Sequence, residues 1–240
     1  MSDCKLSFIR QYGDQLMENK KALILFSGGL DSTTVLHHAI SKGYTCTALT
    51  IDYCQRHEYE IESSQKYLQK NNINGIVFKL DLRQIGGSAL TDKNIDIPIN
   101  QESDIPITYV PARNTIFLSI ASAYAEKLCI QEIFIGVNQI DYSGYPDCRP
   151  DFINSFQDTI NLGTKLGVDG NSIKINAPLI NMSKKDIIVY GYNMGIDYSA
   201  TVSCYQLDEA GKACGHCDSC QFRKEGFLLA GIDDPTIYKN

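Results

Sequence analysis

The turn Ser27-Gly28-Gly29-Leu30-Asp31-Ser32 follows a short apolar run, Lys21 to Phe26, and precedes a segment with helical periodicity. That order suits phosphate. Glycines let backbone N–H groups approach phosphate oxygens with no Cβ in the way. Ser27, Ser32 and Thr33 add hydroxyl donors, and a helix N-terminus presents unpaired N–H groups and its positive end. A tight strand-to-helix turn with a serine cap fits the glycines as well. The segment lacks the Gly-Lys-Ser/Thr ending of a Walker A loop and the Gly-x-Gly-x-x-Gly of the common dinucleotide fingerprint. Asp31 is the local carboxylate placed to orient a magnesium ion, or else it caps the helix. Asp52, at the end of a second expected strand, is placed for a ribose or base contact, or is a solvated turn carboxylate.

A second constellation is Cys204-x9-Cys214-x2-Cys217-x2-Cys220. Four thiolates at this spacing fit a closed tetrahedral zinc site, in which no position is left for water, so the metal is expected to be structural. A four-iron cluster is the alternative, although the further cysteine and proline of ferredoxin spacing do not follow. His216 is a possible replacement ligand that the fourth cysteine makes unnecessary. The other cysteines are dispersed and read as small apolar residues.

Three further segments are more polar than a packed core needs: Asp52 to His57, Pro111 to Thr115, and Gly136 to Arg149. Arg56, Arg113 and Arg149 have the forked geometry that pairs with a phosphate or carboxylate, although an arginine is often a surface ion-pair partner. Asp147 and Asp141, with Asn138, are candidates for reading the edge of a purine-like ring, on which Tyr142 or Tyr145 would stack. A capping aspartate in a solvated loop is the plainer reading. Cys148 is expected to be packed rather than nucleophilic.

These residues need a scaffold. Strands are expected at Lys21–Phe26, Thr45–Ile51, Ile76–Leu80, Glu132–Val137 and Ser172–Ala177. Helices are expected at Asp31–Ile40, His57–Lys70, Asn114–Cys129, Asp151–Leu162 and, after a capping box at Ser183 and Asp186, to about Met194. A weak helical pattern covers residues 5–20. The alternation implies an α/β fold, a parallel nucleotide-binding sheet with helices on both faces, plus a small C-terminal zinc-stapled helical tail. Ligands gather at the carboxyl ends of such strands, where Ser27, Asp52 and Asp81 fall. The domain reading is 1–20 as an N-terminal extension, 21–197 as the α/β domain and 198–240 as the zinc-binding appendage. Residues 82–112, with Gly86-Gly87 and three prolines, break the rhythm and suggest a functional loop.

The net charge of −6 gives no global field for nucleic acid or anionic lipid, so a small-molecule substrate is expected. No run of about 18 apolar residues predicts a membrane helix, and the first residues lack a signal pattern. A cytoplasmic protein is expected.

Taken together, Phe26-Ser-Gly-Gly-Leu-Asp-Ser-Thr33, Tyr53-Cys-Gln-Arg-His57, Gly87-Ser-Ala-Leu-Thr91, Pro111-Ala-Arg-Asn114, Gly136-Val-Asn138, Ser143-Gly-Tyr-Pro-Asp-Cys-Arg149 and Cys214-Gly-His-Cys-Asp-Ser-Cys220 resemble the 7-cyano-7-deazaguanine synthase family of the ATP-pyrophosphatase superfamily. The resemblance spans about residues 21–231. It departs from the family pattern at Cys54, where glycine is expected, and in the N-terminal extension. It implies conversion of 7-carboxy-7-deazaguanine and ammonium to the nitrile precursor of queuosine, through two adenylations and an amide. It implies ATP as substrate, Mg2+, one structural Zn2+ per chain on Cys204, Cys214, Cys217 and Cys220, and a homodimer without direct nucleic-acid or membrane partners. ATP would be held by Leu25, Phe26, Ser27, Gly28, Gly29, Leu30, Asp31, Ser32, Thr33, Thr34 and Val35, with Asp52. Asp31, Arg56, Arg113, Asp147 and Arg149 would serve the chemistry. Two rivals are a tRNA-modifying relative, which the acidic balance disfavours, and an ATP-responsive binding module, for which the polar segments are surplus.

Overall fold

The computed structural model describes residues 20–55, 59–92, 94–97 and 105–239. The extension before Lys20, together with Arg56 and His57, lies outside them. Five strands, β1 (Lys21–Leu25), β2 (Thr45–Asp52), β3 (Asn74–Lys79), β4 (Glu132–Phe134) and β5 (Lys174–Asn176), pair in the order β3-β2-β1-β4-β5. All four pairings are parallel. The helices are α1 (Leu30–Ser41), α2 (Tyr59–Lys70), α3 (Arg113–Leu128), α4 (Gln139–Gly144), α5 (Pro150–Gly163), α6 (Lys165–Val168), α7 (Lys184–Asn193) and α8 (Asp218–Ala230).

Strand β1 shows why the sheet is covered on both faces. Successive side chains point to opposite faces. Ala22, Ile24 and Phe26 join one buried cluster with residues of α1, α7 and α8, whereas Leu23 and Leu25 join a second with residues of α3 and α5. A central strand that is apolar on both faces cannot be left uncovered, since each fully buried Leu or Ile side chain contributes about 1.5–3 kcal/mol. Helix α7 starts where its capping box places it: Ser183 Oγ accepts from Asp186 N, and Asp186 Oδ2 accepts from Ser183 N. Strand β4 is shorter than expected. The chain leaves the ladder where Gly136 meets the backbone of Asp31 and Ser32, so close that a Cβ on Gly136 would stand 3.2 Å from Ser32 N.

The C-terminal segment does more than append a metal site. Phe227 of α8 is buried in the same cluster as Ala22 and Leu36. Gly226 lies against Lys184 and Ile188 of α7. The four cysteines pack with Leu82, Leu90 and Val110 in a third cluster, so the loop 82–112 and the tail share one core. Arg223 ties them further. It is 3% exposed and donates to Asp234, Thr201 and the Tyr198 carbonyl at 3.0, 2.8 and 3.1 Å.

Candidate active site and metal centre

The sheet order reverses between β1 and β4, so their following turns diverge and leave a crevice. The turn after β1 is built by its own hydroxyls. Ser27 Oγ accepts from Gly29 N at 3.3 Å and lies 3.1 Å from Ser32 Oγ. Ser32 Oγ accepts from Ser27 N and donates to the Gly29 carbonyl, both at 3.2 Å. Gly28 has φ +80°, and a Cβ there would sit 3.0 Å from Ser64 Cβ of α2. Val202 N, from the tail, donates to the Gly28 carbonyl at 3.1 Å. Helix α1 has Gly29 as its N-cap with no side-chain cap bond. Its first N–H groups therefore face the crevice with the positive end of the helix.

A cavity of about 280 Å³ opens there, lined by Ser27, Gly29, Asp31 and Ser32 on one side and by Arg113, Glu60 and Asp141 elsewhere. Leu25, Phe26 and Leu30 also line it. Thr33, Thr34 and Val35 do not. They are fully buried, and Thr34 Oγ1 donates to the Leu30 carbonyl and meets Tyr198 Oη, each at 2.8 Å. Thr33 Oγ1 has no hydrogen-bond partner among the described residues.

Asp31 sits in a charged cluster assembled from three elements. Lys184, at the start of α7, donates to Oδ1 and Oδ2 at 2.9 and 2.7 Å. Asn138 Nδ2 lies 3.2 Å from Asp31 Oδ2 and 2.8 Å from Asp141 Oδ2. Burial, and then the charge of Asp31, push the Asp141 carboxyl up to about 6, against the pull of Lys184. Two crowded carboxylates are a set that a divalent cation relieves, and their oxygens are the hard ligands magnesium takes. The residues therefore fit such an ion.

Arg113 enters from the other side, at the first turn of α3. Ala112, the residue before it, is in the left-handed region at φ 54° and gives no side-chain cap. Asp147 supplies the cap from a distance: its Oδ2 accepts from Asn114 N at 2.8 Å. Asn114 Nδ2 in turn contacts the Asp147 carbonyl and Cys148 Sγ, at 3.2 and 3.0 Å. Burial raises the Cys148 thiol, so it is held as a packed, protonated group. Burial also raises the hydroxyls of Tyr53 and Tyr205 despite the nearby Arg113. Glu60, in the first turn of α2, is pushed by burial up to about 7, with Arg113 and Gln55 opposing.

Several expected site residues fall elsewhere. Asp147 does not line the cavity; it is 6% exposed and spent on the α3 cap. Arg149 is exposed at the start of α5, outside the cavity lining. Asp52 turns into a neighbouring groove with Asp81, Arg83 and Asp92, and its Oδ1 accepts from Cys54 N at 3.2 Å, closing the turn after β2. Cys54 occupies this turn at φ 60°, which explains why glycine is the residue expected there. Sequence pattern alone does not distinguish Lys184, Glu60 or Tyr205 as site residues. Lys184 follows the capping Ser183, and a capping box by itself implies only a structural role.

The four tail cysteines converge. The sulfurs of Cys204, Cys214, Cys217 and Cys220 lie within 4.8 Å of one another, all buried. Cys214 and Cys220 Sγ are 3.9 Å apart, close to the edge of about 3.8 Å that a tetrahedron with zinc–sulfur bonds of about 2.3 Å requires. An iron–sulfur cage would stand between the thiolates and hold them farther apart. Backbone N–H groups of Gln206 and Cys214 donate to Cys204 Sγ at 3.2 and 3.1 Å, as anionic sulfur needs. His216 turns away, with Nδ1 on the Cys214 carbonyl and Nε2 on Gln206. The set fits one zinc ion and leaves no open position.

The family model described as "Queuosine biosynthesis protein QueC" matches residues 21–231. The chain belongs to the QueC family. Three relatives are each named 7-cyano-7-deazaguanine synthase. The one from Saccharophagus degradans is 55% identical over 93% of this chain and 100% of its own length. That from Pseudomonas fluorescens is 54% identical over 92% and 100%, and that from Coxiella burnetii 56% over 91% and 98%. The QueC match ends one residue past α8 and includes all four cysteines. It thus covers the loop after β1, Lys184, Glu60 and the metal centre.

Proposed function

We propose that this chain converts 7-carboxy-7-deazaguanine and ammonia to 7-cyano-7-deazaguanine, cleaving ATP between its α and β phosphates. The observation that carries the proposal is one cavity joining the Ser27–Ser32 turn to Arg113 and Asp141. A carboxylate resists attack because its carbon is electron-rich and its oxygen leaves poorly. Transfer of AMP to that oxygen makes it part of a good leaving group. Ammonia then gives the amide, and a second transfer to the amide oxygen allows loss of AMP to the nitrile.

Each residue has a task in this account. The N–H groups from Gly29 into α1 hold the departing pyrophosphate. Lys184 stands beside Asp31 to take up phosphate charge. Asp31 and Asp141 would hold magnesium, which when bound supplies charge neutralisation at the leaving pyrophosphate. Arg113 pairs with the substrate carboxylate in a site where burial strengthens the attraction. Tyr53, Phe117 and Tyr205 line the cavity with flat apolar faces suited to a fused ring. Asp147 acts indirectly, by fixing the start of α3. Zinc on the four thiolates would keep Val202 and Tyr205 against the cavity. No helix among the described residues is long and apolar enough to cross a membrane. A cytoplasmic homodimer, with the exposed α8 residues Phe222, Leu228 and Leu229 covered, completes the proposal.

The test is direct. Purified protein with ATP, magnesium, ammonium and 7-carboxy-7-deazaguanine should form the nitrile. Turnover of ATP without any nitrile or amide would contradict the substrate assignment.

A further inference from the structure

Ammonia exists mainly as ammonium near neutral pH, and ammonium has no lone pair with which to attack an acyl adenylate. The reaction therefore needs a group that accepts a proton at the point where nitrogen enters. Among the described residues lining the cavity, no histidine is present and three side chains are carboxylates: Asp31, Asp141 and Glu60. Asp31 is engaged through both oxygens by Lys184. Asp141 Oδ2 takes the backbone and side-chain nitrogens of Asn138, at 3.2 and 2.8 Å. Both sit at the phosphate end. Glu60 stands on α2, the element that packs against Gly28 through Ser64, and it faces Arg113 of α3 with Gln55 and Tyr53 of the turn after β2.

We propose that Glu60 is the general base of the nitrogen-insertion steps, taking a proton first from ammonium and later from the nitrogen of the activated amide. The inference rests on the adenylation reading above. In the first step an N–H bond of ammonium breaks and the proton passes to the Glu60 carboxylate. The freed lone pair forms the C–N bond, and the C–O bond breaks with its electron pair leaving on AMP. Glu60 returns its proton to solvent, and a second nitrogen proton passes to solvent water to give the neutral amide. When the amide oxygen is adenylated, the α–β phosphate bond breaks with pyrophosphate leaving and one nitrogen proton passes to solvent water; the remaining N–H bond then breaks toward Glu60. Its electron pair becomes the third C–N bond as the C–O bond to AMP breaks. No oxidant or reductant is needed.

Physical position supports this role. Arg113, which would hold the substrate carboxylate, lines the same cavity as Glu60, and its charge opposes the rise of the Glu60 carboxyl, so the base and the activated carbon share one cavity. Burial raises the carboxyl to about 7, the range in which a base is present in its anionic form yet still strong enough to accept a proton.

The experiment compares Glu60→Gln with the parent enzyme and with Glu60→Asp. Adenylation is read as ATP–pyrophosphate exchange dependent on 7-carboxy-7-deazaguanine, and nitrogen insertion as nitrile formation. Glu60→Gln should retain exchange, which also reports an intact fold, while nitrile formation with ammonium falls by about 10²–10⁴-fold. Hydroxylamine, unprotonated at neutral pH, should restore acyl transfer in this variant as the hydroxamate. Glu60→Asp should recover part of the lost rate. The parent rate should rise with pH through about 7, and Glu60→Gln should lose that limb. Unchanged nitrile formation, loss of exchange together with nitrile, or failure of hydroxylamine to rescue would each overturn the assignment. A parent enzyme that forms no nitrile while Glu60→Gln retains exchange would instead overturn the functional reading, and the assignment with it.

Discussion

Both carboxylate oxygens of Asp31 accept from Lys184, at 2.9 and 2.7 Å, although the residues are 153 positions apart. The contact links the turn after β1 to the first residue of α7. It also places a cation beside two carboxylates, Asp31 and Asp141, that share the amide of Asn138. Removing that cation leaves two like charges crowded together, which is costly.

Lys184→Met keeps an unbranched stem on α7 but removes the ammonium. Turnover should fall by about 10²-fold or more, as for loss of a preorganised charge. Lys184 holds the Asp141 carboxyl down, so its removal should move that group above about 6. If activity requires ionised Asp141, the acid limb of the rate profile moves to higher pH. A profile with an unmoved acid limb and near-parental turnover would contradict this.

Gly226 leaves the space in which the Lys184 stem lies. A Cβ there would sit 2.7 Å from Lys184 Cγ and 2.8 Å from Ile188 Cδ1. Gly226→Ala should lower stability by about 1–3 kcal/mol, the usual range for overpacking, and should lower turnover because Lys184 is pushed off Asp31. Denaturant unfolding and steady-state rates measure the two effects. Full stability with full turnover would show that the helices separate without moving the lysine.

Much of this arrangement was legible beforehand, for identifiable reasons. The five residues of β1 are apolar on both faces after Lys21, and two glycines follow within the next turn, so strand, turn and helix could be located. Cysteine spacing located the metal centre because its ligands are local in sequence. The α7 start was legible because Ser183 and Asp186 cap each other. Less local features were not. Asp147 reads as a polar loop residue with substrate-binding potential, and only the fold reveals that Ala112 gives α3 no side-chain cap and that Asp147 fills the role. Phe227 is followed by the exposed Leu228 and Leu229, so the tail sequence does not disclose that α8 closes the main core. Lys184 meets Asp31 only after the sheet brings α7 beside α1.

Cys217→Ser tests the metal centre. The variant should lose bound zinc, measured against about one ion per parental chain, and the tail should become protease-sensitive first. Turnover should drop as well, because Val202 anchors Gly28 and Tyr205 lines the cavity. A variant without metal yet with parental stability would refute a structural ion.

Cys54 tests the turn after β2. It holds φ 60°, a conformation that costs a residue with a Cβ roughly 1–2 kcal/mol. Cys54→Gly should therefore stabilise the chain by about 1 kcal/mol in denaturant unfolding, after glycine's own entropy is allowed for. Turnover should be unchanged, since Cys54 does not line the cavity at the turn after β1.

The central claim is that substrate oxygen leaves on AMP while the turn after β1 holds pyrophosphate. It is tested most directly by supplying 7-carboxy-7-deazaguanine with both carboxyl oxygens labelled as oxygen-18 and reading the phosphorus products by mass spectrometry. The account predicts AMP carrying one labelled oxygen, unlabelled pyrophosphate, and two AMP formed for each nitrile. Label in inorganic phosphate, with ADP as its companion product, would contradict it.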